Sequence, residues 1–353
     1  MNIAGHESIA VFCLTPGGVR LVRQLKTHLP LTCFTSEKLL EPGFIPFNGS
    51  FGDTLREAFK SYSALVVVAA LGITVRMIAP LINDKMHDPA VVVIDERGQH
   101  VISLLSGHVG GANALTYSLA ELLGADPVIT TATDVNGMAA LDTLATQLDA
   151  DMQDFRHVVK MVNQMLVSGQ KVGLWWDEPL LSEREHCDTR GFVPVACLDM
   201  LPALDALVCI TWRDSLPALS LPVYKLVPKR VVAGIGCRRD TPLQTLVELL
   251  RQQMAENHFD LMALRAIGSV VIKKDEPALN QLAQRWRVPF ELFSVNELSR
   301  HEQRFPASDF VRQTVGVGSV SQPVAWLMSE GKLVGRTLRE QGVTITLGVS
   351  QSC

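Results

Sequence analysis

The sequence predicts an α/β protein with an N-terminal α/β domain built on a mainly parallel sheet, a less regular middle region and a separate compact C-terminal α/β domain. Two observations favour this class. Short β-branched runs such as residues 64–70 are apolar at every position, which is typical of strands buried on both faces of a sheet. Glycine-rich turns connect such runs to helix-like segments. The 353 residues exceed one typical domain, and we place the domains at residues 1–140, 141–226 and 227–353.

Predicted strands and helices alternate through the N-terminal domain. A βαβ pattern over residues 9–34 indicates parallel pairing. Two later apolar runs flank a polar loop with a glycine, which predicts a β-hairpin. The predicted strands cover residues 9–14, 31–34, 64–70, 91–94, 100–104 and 127–131, and the predicted helices cover residues 19–28, 51–61, 77–82 and 112–123.

Arg76 follows the most apolar of these strands. Thr74 is expected to cap a helix that runs through residues 77–82, with Arg76 in its first turn. A cation is unfavourable at that end of the helix dipole. Arg76 is therefore either a binding residue for an anionic ligand or a solvated surface arginine.

Residues 104–113 read Leu-Leu-Ser-Gly-His-Val-Gly-Gly-Ala-Asn and form the most distinctive turn of the chain. A strand that ends in glycines and opens a helix presents backbone N–H groups at the positive end of the helix dipole, where an anionic oxygen binds well. Asn113 either caps the helix or contacts a ligand. The alternative for the whole motif is a tight turn without a ligand. The binding residues predicted here are Ser106, Gly107, Gly110, Gly111 and Asn113.

Polar residues 132–137, which include Asp134, follow the next predicted strand. The carboxyl ends of parallel strands are where α/β sheets usually hold ligands. The middle region begins with a long helical segment, becomes irregular between residues 176 and 199, and ends in a proline-containing linker.

The C-terminal domain starts with a strand and the glycine turn Gly234-Ile235-Gly236-Cys237-Arg238-Arg239. Alternating strands and helices follow to residue 347. A dinucleotide-binding turn requires a third glycine where Arg239 stands, so a nicotinamide or flavin site is not expected. A glycine turn with cations nearby is suited to binding carboxylates or phosphates. The binding residues predicted here are Gly234, Gly236, Arg238 and Arg239.

Composition excludes several classes of protein. Apolar residues make up 47% and charged residues 19%, which favours an ordered chain. The net charge of −4 gives no basic field for nucleic acid, and the longest apolar run is too short to span a membrane. The seven cysteines include no Cys-x-x-Cys pair, which predicts reduced thiols. The N-terminus has no signal-peptide pattern, and together these observations predict a cytoplasmic protein. No metal site is expected, since the spacing of His87, His100 and His108 matches no zinc signature.

Several short stretches of sequence resemble the CbiG family of cobalamin biosynthesis. They occur in the same order as in the family and extend across nearly the whole chain. One departure is Gln322, which stands where related sequences more often have glutamate. The strings that carry the resemblance are residues 70–76, 88–95, 104–113, 129–134, 234–239 and 315–320.

The resemblance implies a hydrolase whose substrate is the tetrapyrrole cobalt-precorrin-5A. The implied reaction opens a ring δ-lactone, releases a two-carbon fragment as acetaldehyde and leaves cobalt-precorrin-5B. No organic cofactor is expected, because the substrate carries the cobalt. Neighbouring enzymes of the corrin pathway are the other partners considered. The alternative is a non-catalytic protein that binds or carries corrinoid intermediates.

For the chemistry we expect the N–H groups of residues 107–112 to bind the developing oxyanion. His108 acts as general base or acid, and Asp134 orients it or replaces it. Arg76, Arg238 and Arg239 are expected to bind the peripheral carboxylates of the substrate.

Overall fold

The computed structural model describes residues 6–84 and 87–350. Its contacts divide the chain into two compact units, residues 1–143 and 144–353, and the second unit contains two sheets. The predicted division into 1–140, 141–226 and 227–353 stays a prediction. The fold class is confirmed, since each of the three sheets is combined with helices.

The first unit is built on a seven-stranded sheet. Its central strands form where the sequence has apolar β-branched runs: β1 (Ile9–Cys13), β4 (Ala64–Val68) and β5 (Ala90–Ile94) are buried at every position. The other elements of this unit are α1 (Pro16–Lys26), β2 (Thr32–Thr35), β3 (Phe44–Pro46), α2 (Phe51–Ser61), α3 (Leu71–Ile78), β6 (His100–Leu105), α4 (Ala112–Leu123), β7 (Asp126–Val128) and α5 (Ala132–Val135).

The direction of β6 decides which loops meet. The strand order is β3-β2-β1-β4-β5-β6-β7, and every neighbouring pair is parallel except β5 and β6, which form the predicted hairpin. Because β7 is parallel to β6, both strands end at the sheet edge where β5 begins. The turn after β6 and the polar segment after β7 therefore share one edge, whereas the glycine turn after β1 lies at the opposite edge.

The position of Arg76 corrects the sequence prediction. The helix α3 begins at Leu71 with Ala70 as its N-cap, so Thr74 is buried inside the helix and does not cap it. Arg76 is exposed in the last turn, where a cation is favourable to the helix dipole. Residues 71–78 contain no proline, so the chain can be helical from Leu71 onward. The dipole argument for an anionic ligand at Arg76 is therefore wrong.

The first sheet of the second unit has the order β10-β9-β11-β12-β8, in which only β8 is antiparallel to its neighbour. The expected irregularity lies in the connections, where a 3₁₀ helix covers Glu178–His186. Helix α6 (Leu141–Gln147) begins in the first unit, to which residues 141–143 belong. The other elements of this part are β8 (Ala150–Asp151), α7 (Phe155–Val167), β9 (Val172–Trp176), β10 (Val193–Val195), β11 (Ala206–Ile210) and β12 (Val223–Pro228).

The last sheet has the order β15-β14-β13-β17-β16, with β13, β14 and β15 parallel and the last two strands antiparallel. Its elements are β13 (Val231–Cys237), α8 (Leu243–Glu256), β14 (Leu264–Val270), α9 (Pro277–Trp286), β15 (Phe290–Phe293), α10 (Val295–Ser299), α11 (Asp309–Val315), α12 (Ser321–Met328), β16 (Leu333–Glu340) and β17 (Val343–Val349).

Helix α12 lies directly on β13 at Gly234. A Cβ atom at this position would overlap the carbonyl oxygen of Ser321 and lie 2.7 Å from the backbone nitrogen of Ala325. Backbone atoms cannot yield as a side chain can, so this approach requires glycine. Gly234 is buried beneath α12, and the binding role predicted for it is not supported by its position.

The six cysteines of the described residues are free thiols, and Cys353 lies outside the described residues. Within residues 6–84 and 87–350, no helix has the length and apolar character needed to cross a membrane.

We expect Gly234→Ala to lower the free energy of unfolding by about 1–3 kcal/mol, because α12 must move away from β13. Gly72→Ala is the matched control. A Cβ added at Gly72 would meet no atom within 4 Å, and Gly72 is helical, so this change should stabilise by about 0.5–1 kcal/mol. Urea unfolding of both variants measures the difference. Equal stability of Gly234→Ala and the natural protein would contradict the packing role.

Candidate functional site

The turn after β6 is closed by its own backbone. Ser106 has a φ of 58° and Gly111, the N-cap of α4, has a φ of 81°. The N–H groups of Gly111, Ala112 and Asn113 donate to the carbonyl oxygens of His108, Ser106 and Gly107 at 2.9–3.1 Å. Those three N–H groups are therefore used within the turn. In the described part of the chain, the N–H groups of residues 107–110 donate to no protein acceptor, so they are the candidate donors to a bound anion.

Gly107 and Gly110 are required by the tightness of this turn. A Cβ at Gly110 would overlap Ser106, and a Cβ at Gly107 would lie 2.7 Å from Oδ1 of Asn113. The small residues that the sequence assigns to ligand binding therefore also have a packing reason. Gly111 is explained by its left-handed conformation, which glycine adopts without strain.

Asn113 connects the turn to the segment after β7. Its Oδ1 accepts a hydrogen bond from Ser103 Oγ at 2.7 Å. Its Nδ2 donates to Thr131 Oγ1 at 2.8 Å and to Asp134 Oδ2 at 3.0 Å. The side chain does not cap α4, so that alternative is wrong. Asn113 instead positions Asp134.

The ring of His108 lies between two carboxylates. Nε2 is 2.9 Å from Asp134 Oδ2, and Nδ1 is 3.3 Å from Asp142 Oδ1. Asp142 is almost fully buried, with 4% of its side chain exposed, whereas Asp134 retains 22%. The Asp134 oxygen that faces His108 also accepts from Asn113 and, at 2.7 Å, from Thr131 Oγ1. Four segments of the chain thus converge on one charged cluster.

This arrangement determines the protonation of His108. Burial alone lowers the pKa of the ring, but hydrogen bonds and Coulombic attraction from Asp142 and Asp134 outweigh burial, and the pKa of His108 lies above its ordinary value. When protonated, the ring donates to both carboxylates and has no free lone pair. In this geometry His108 is suited to holding Asp134 in place, and Asp134 is the more accessible proton acceptor.

One residue of this site carries no recognisable sequence signal. Asp142 lies in the first turn of α6, where acidic residues are common because the helix dipole favours negative charge there. It belongs to no motif and reaches the turn only through the fold. His6, before β1, is 8% exposed, and burial lowers the pKa of its ring.

A second candidate site is a cavity of about 620 Å³ at the carboxyl ends of β13 and β14. Gly236 lines it, and so do apolar side chains that include Val270, Val320 and Val343. Its cationic residues are Arg238, Arg239, Lys273 and Arg339. An apolar wall with cations on its rim fits a flat ligand that carries several carboxylates.

Three contacts order the residues that line this cavity. Lys273 Nζ forms an ion pair with Glu276 Oε2 at 2.8 Å, and both side chains are largely buried. Arg339 donates to Gln322 Oε1 at 3.3 Å, so Gln322 contacts one of the arginines that line the cavity. The side chain of Arg238 packs across Gly342, where a Cβ would lie 2.8 Å from its Cδ.

The predicted site residues therefore form two groups and one isolated position. Ser106, His108 and Asp134 belong to the glycine turn of the first unit, whereas the arginines of the second unit belong to the cavity. Arg76 stands alone on α3. The three clustered histidines do not meet, since His87 and His100 pair with Asp84 and Asp95. Among the described residues no group of three or more His, Cys, Asp or Glu side chains is arranged to hold a metal ion.

Comparison with known proteins identifies the class. Three family models match consecutive parts of the chain: cobalamin synthesis G N-terminal over residues 53–134, cobalamin biosynthesis central region over 139–224, and cobalamin synthesis G C-terminus over 231–348. A Salmonella typhimurium protein named cobalt-precorrin-5A hydrolase is 65% identical over 350 residues, which cover 99% of this chain and 100% of the relative. The chain therefore belongs to the CbiG family, as the resemblance predicted.

Two further similarities have lower identity. A Priestia megaterium protein, also named cobalt-precorrin-5A hydrolase, is 32% identical over 368 residues, which cover 98% of this chain and 96% of the relative. The crystal structure of a putative cobalamin biosynthesis protein G homolog from Sulfolobus solfataricus is 20% identical and covers 98% of this chain and 97% of that chain, with a TM-score of 0.39.

The His108 cluster predicts a pH-dependent contribution to stability. The pKa of His108 is raised above its unfolded value of about 6.5, so its ion pairs stabilise the fold fully below about pH 6.5. This contribution is lost as the pH rises through the folded pKa. We expect His108→Gln to lower the free energy of unfolding more at about pH 6 than at about pH 9. Urea unfolding at both pH values measures this difference, and His28→Gln, a change at an exposed histidine, is the control. If His108→Gln lowered the free energy of unfolding equally at both pH values, the ring would not be charged in the folded protein.

Proposed function

We propose that this protein is a cobalt-precorrin-5A hydrolase of cobalamin biosynthesis. It opens the δ-lactone of cobalt-precorrin-5A, releases acetaldehyde and leaves cobalt-precorrin-5B. The observation that carries this proposal is the 65% identity to a protein of that name over 99% of the chain. The cobalt belongs to the substrate, and the proposal includes no other cofactor.

The reaction requires the removal of two protons, one from water and one from a hydroxyl group. Water adds to the lactone carbonyl and loses a proton, and the ring ester bond then breaks to give a carboxylate and a hydroxyl. That hydroxyl loses its proton as its oxygen forms the carbonyl of acetaldehyde. The carbon–carbon bond breaks, and its electron pair stays on the macrocycle. A site for this chemistry needs anion-binding N–H groups and proton acceptors.

We assign the second proton transfer to Asp134. Its carboxylate is partly exposed, and one of its oxygens, Oδ2, is fixed by donors from His108, Asn113 and Thr131. The other oxygen, Oδ1, accepts no hydrogen bond from the described residues and is left to receive the substrate hydroxyl. The N–H groups of residues 107–110 are the proposed donors to the lactone oxyanion.

We propose, independently of the glycine turn, that the cavity of the second unit is an anion site that binds acetate and propionate groups of a corrinoid. Arg238, Arg239, Lys273 and Arg339 supply cations, and guanidinium groups bind carboxylates in two-pronged geometry. The apolar wall suits the face of the macrocycle. Arg76 is proposed for the same role at a separate position, on the strength of its exposure and charge alone.

Asp134→Asn keeps the shape of the side chain but removes the proton acceptor. We expect kcat for acetaldehyde release to fall about 10²-fold or more, while the affinity for cobalt-precorrin-5A changes little. Asp126→Asn, an exposed carboxylate in β7, is the control and should keep natural turnover. Acetaldehyde is measured by a coupled dehydrogenase assay. Near-normal turnover by Asp134→Asn would remove this residue from the chemistry.

Removing a rim cation should weaken binding more than turnover. For Arg238→Ala we expect Kd for the substrate to rise about tenfold, which corresponds to about 1.4 kcal/mol, with kcat within about threefold of the natural enzyme. Arg251→Ala, exposed on α8, serves as the comparison and should leave Kd unchanged. Fluorescence or absorbance titration gives Kd. If the natural protein binds the substrate but releases no acetaldehyde, the carrier alternative replaces the hydrolase.

A further inference from the structure

Lys273 differs from the other cations of the cavity because it is largely shielded from water. Only 13% of its side chain is exposed, whereas Arg238, Arg239 and Arg339 are exposed residues. All four residues line the same cavity. A shielded charge interacts more strongly with a partner than an exposed charge does, because water and salt screen the exposed one. The four cations are therefore not equivalent for a bound anion.

A buried carboxylate fixes the position of this lysine. Nζ of Lys273 donates to Oε2 of Glu276 at 2.8 Å, and 7% of the Glu276 side chain is exposed. The second oxygen, Oε1, accepts a hydrogen bond from the backbone N–H of Asp240 at 3.1 Å. Glu276 thus connects the segment after β14, which includes Lys273, to the turn after β13, which includes Arg238 and Arg239.

The pair with Glu276 uses only part of the ammonium group. An ammonium group has three N–H donors. In the part of the chain that the structure describes, Glu276 is the one acceptor within hydrogen-bond distance of Lys273 Nζ. Two donors are therefore available to a ligand. Hydrogen bonds between a cationic donor and a carboxylate are among the strongest that a binding site can form.

The lining of the cavity indicates which anion suits this lysine. Val270, at the end of β14, lines the cavity together with Lys273, so an apolar wall lies beside the shielded cation. This combination suits a carboxylate that is carried on an apolar frame, as the acetate and propionate groups of a corrinoid are. A carboxamide of the same shape offers one uncharged acceptor oxygen, and its NH₂ group cannot accept a hydrogen bond. Lys273 can therefore distinguish an acid from its amide.

We propose that Lys273, positioned by Glu276, is a specificity-determining residue that binds one carboxylate of the corrinoid inside the cavity and discriminates against the corresponding amide. This inference rests on the proposed function, in which the cavity binds peripheral carboxylates. The exposed arginines attract the anionic macrocycle, and salt screens their contribution. Lys273 recognises a single acidic group by direct hydrogen bonds, and salt screens this contact much less.

Two corrinoids test the selectivity of the natural protein. One has free acetate and propionate side chains, and the other has the same side chains converted to amides. At about 0.5 M salt, where the exposed arginines are screened, we expect Kd for the amide form to be about 10²-fold higher. Lys273→Met should remove most of this difference. Equal Kd values for the two forms in the natural protein, or full selectivity in Lys273→Met, would overturn the proposal.

Lys273→Met should raise Kd for the free-acid corrinoid about 30-fold, with kcat for acetaldehyde release within about threefold of the natural value at saturating substrate. We expect this ratio of Kd values to change little between about 0.05 M and about 0.5 M salt, whereas the ratio for Arg238→Ala should shrink. Lys274→Met changes an exposed neighbour outside the cavity lining and should keep the natural Kd. A natural Kd in Lys273→Met would refute the binding role.

Glu276→Gln separates positioning from simple electrostatics. The change removes a negative charge beside the cavity, and electrostatics alone would then strengthen the binding of an anion. Glutamine has one acceptor oxygen, so it cannot accept from both Lys273 and the N–H of Asp240. If Glu276 positions the lysine, Kd should instead rise about fivefold. Asp275→Asn removes an exposed charge nearby and should not raise Kd. A Kd for Glu276→Gln at or below the natural value would refute the positioning role.

A double variant controls for misfolding. Lys273→Met alone leaves the Glu276 carboxylate buried without a partner, which is destabilising. Combining it with Glu276→Gln leaves no unpaired charge, and this protein should bind the free-acid corrinoid as weakly as Lys273→Met does. Natural affinity in the double variant would refute the inference. Failure of the natural protein to bind the free-acid corrinoid would refute the cavity as an anion site, and absence of acetaldehyde would refute the hydrolase, so the failures are distinguishable.

Discussion

The imidazole ring of His108 is bound on both sides by carboxylates, and this contact organises the edge of the first sheet where β6 and β7 end. A buried carboxylate such as that of Asp142 is unfavourable without a partner that offsets its charge. The raised pKa of His108 favours the protonated ring, whose two N–H groups would donate to Asp134 and Asp142. The turn, the segment after β7 and the start of α6 are held together by this one side chain.

The reversal of β6 makes that contact possible. If β6 were parallel to β5, its turn would lie at the opposite edge from the start of β5. The antiparallel hairpin and the parallel pairing of β7 instead bring Ser106, His108 and Asp134 to one edge. The geometry of this cluster thus depends on a single change of strand direction within a mainly parallel sheet.

The glycines discussed above are required for different physical reasons. Gly111 supports a left-handed N-cap, Gly107 and Gly110 leave no room for a Cβ beside Asn113 and Ser106, and Gly234 admits the backbone of α12. From the sequence alone all of them look like ligand-binding glycines, since the pattern of strand, glycine and helix is the same. Only the atoms that surround each position separate packing from binding.

The amino-acid sequence by itself determined the fold class, most of the strands, the hairpin before the glycine turn and the family. Those properties depend on local apolar runs, on turn chemistry and on strings of residues that are read directly. The sequence analysis, guided by the resemblance, also predicted that Asp134 orients His108 or replaces it. The tertiary structure decided that Asp142 joins them, that Asn113 contacts Asp134 and that Arg76 lies in the last turn of its helix. These facts depend on contacts between segments that are far apart in the chain. Which side chains meet is decided by strand direction and close packing, and a local sequence pattern contains neither.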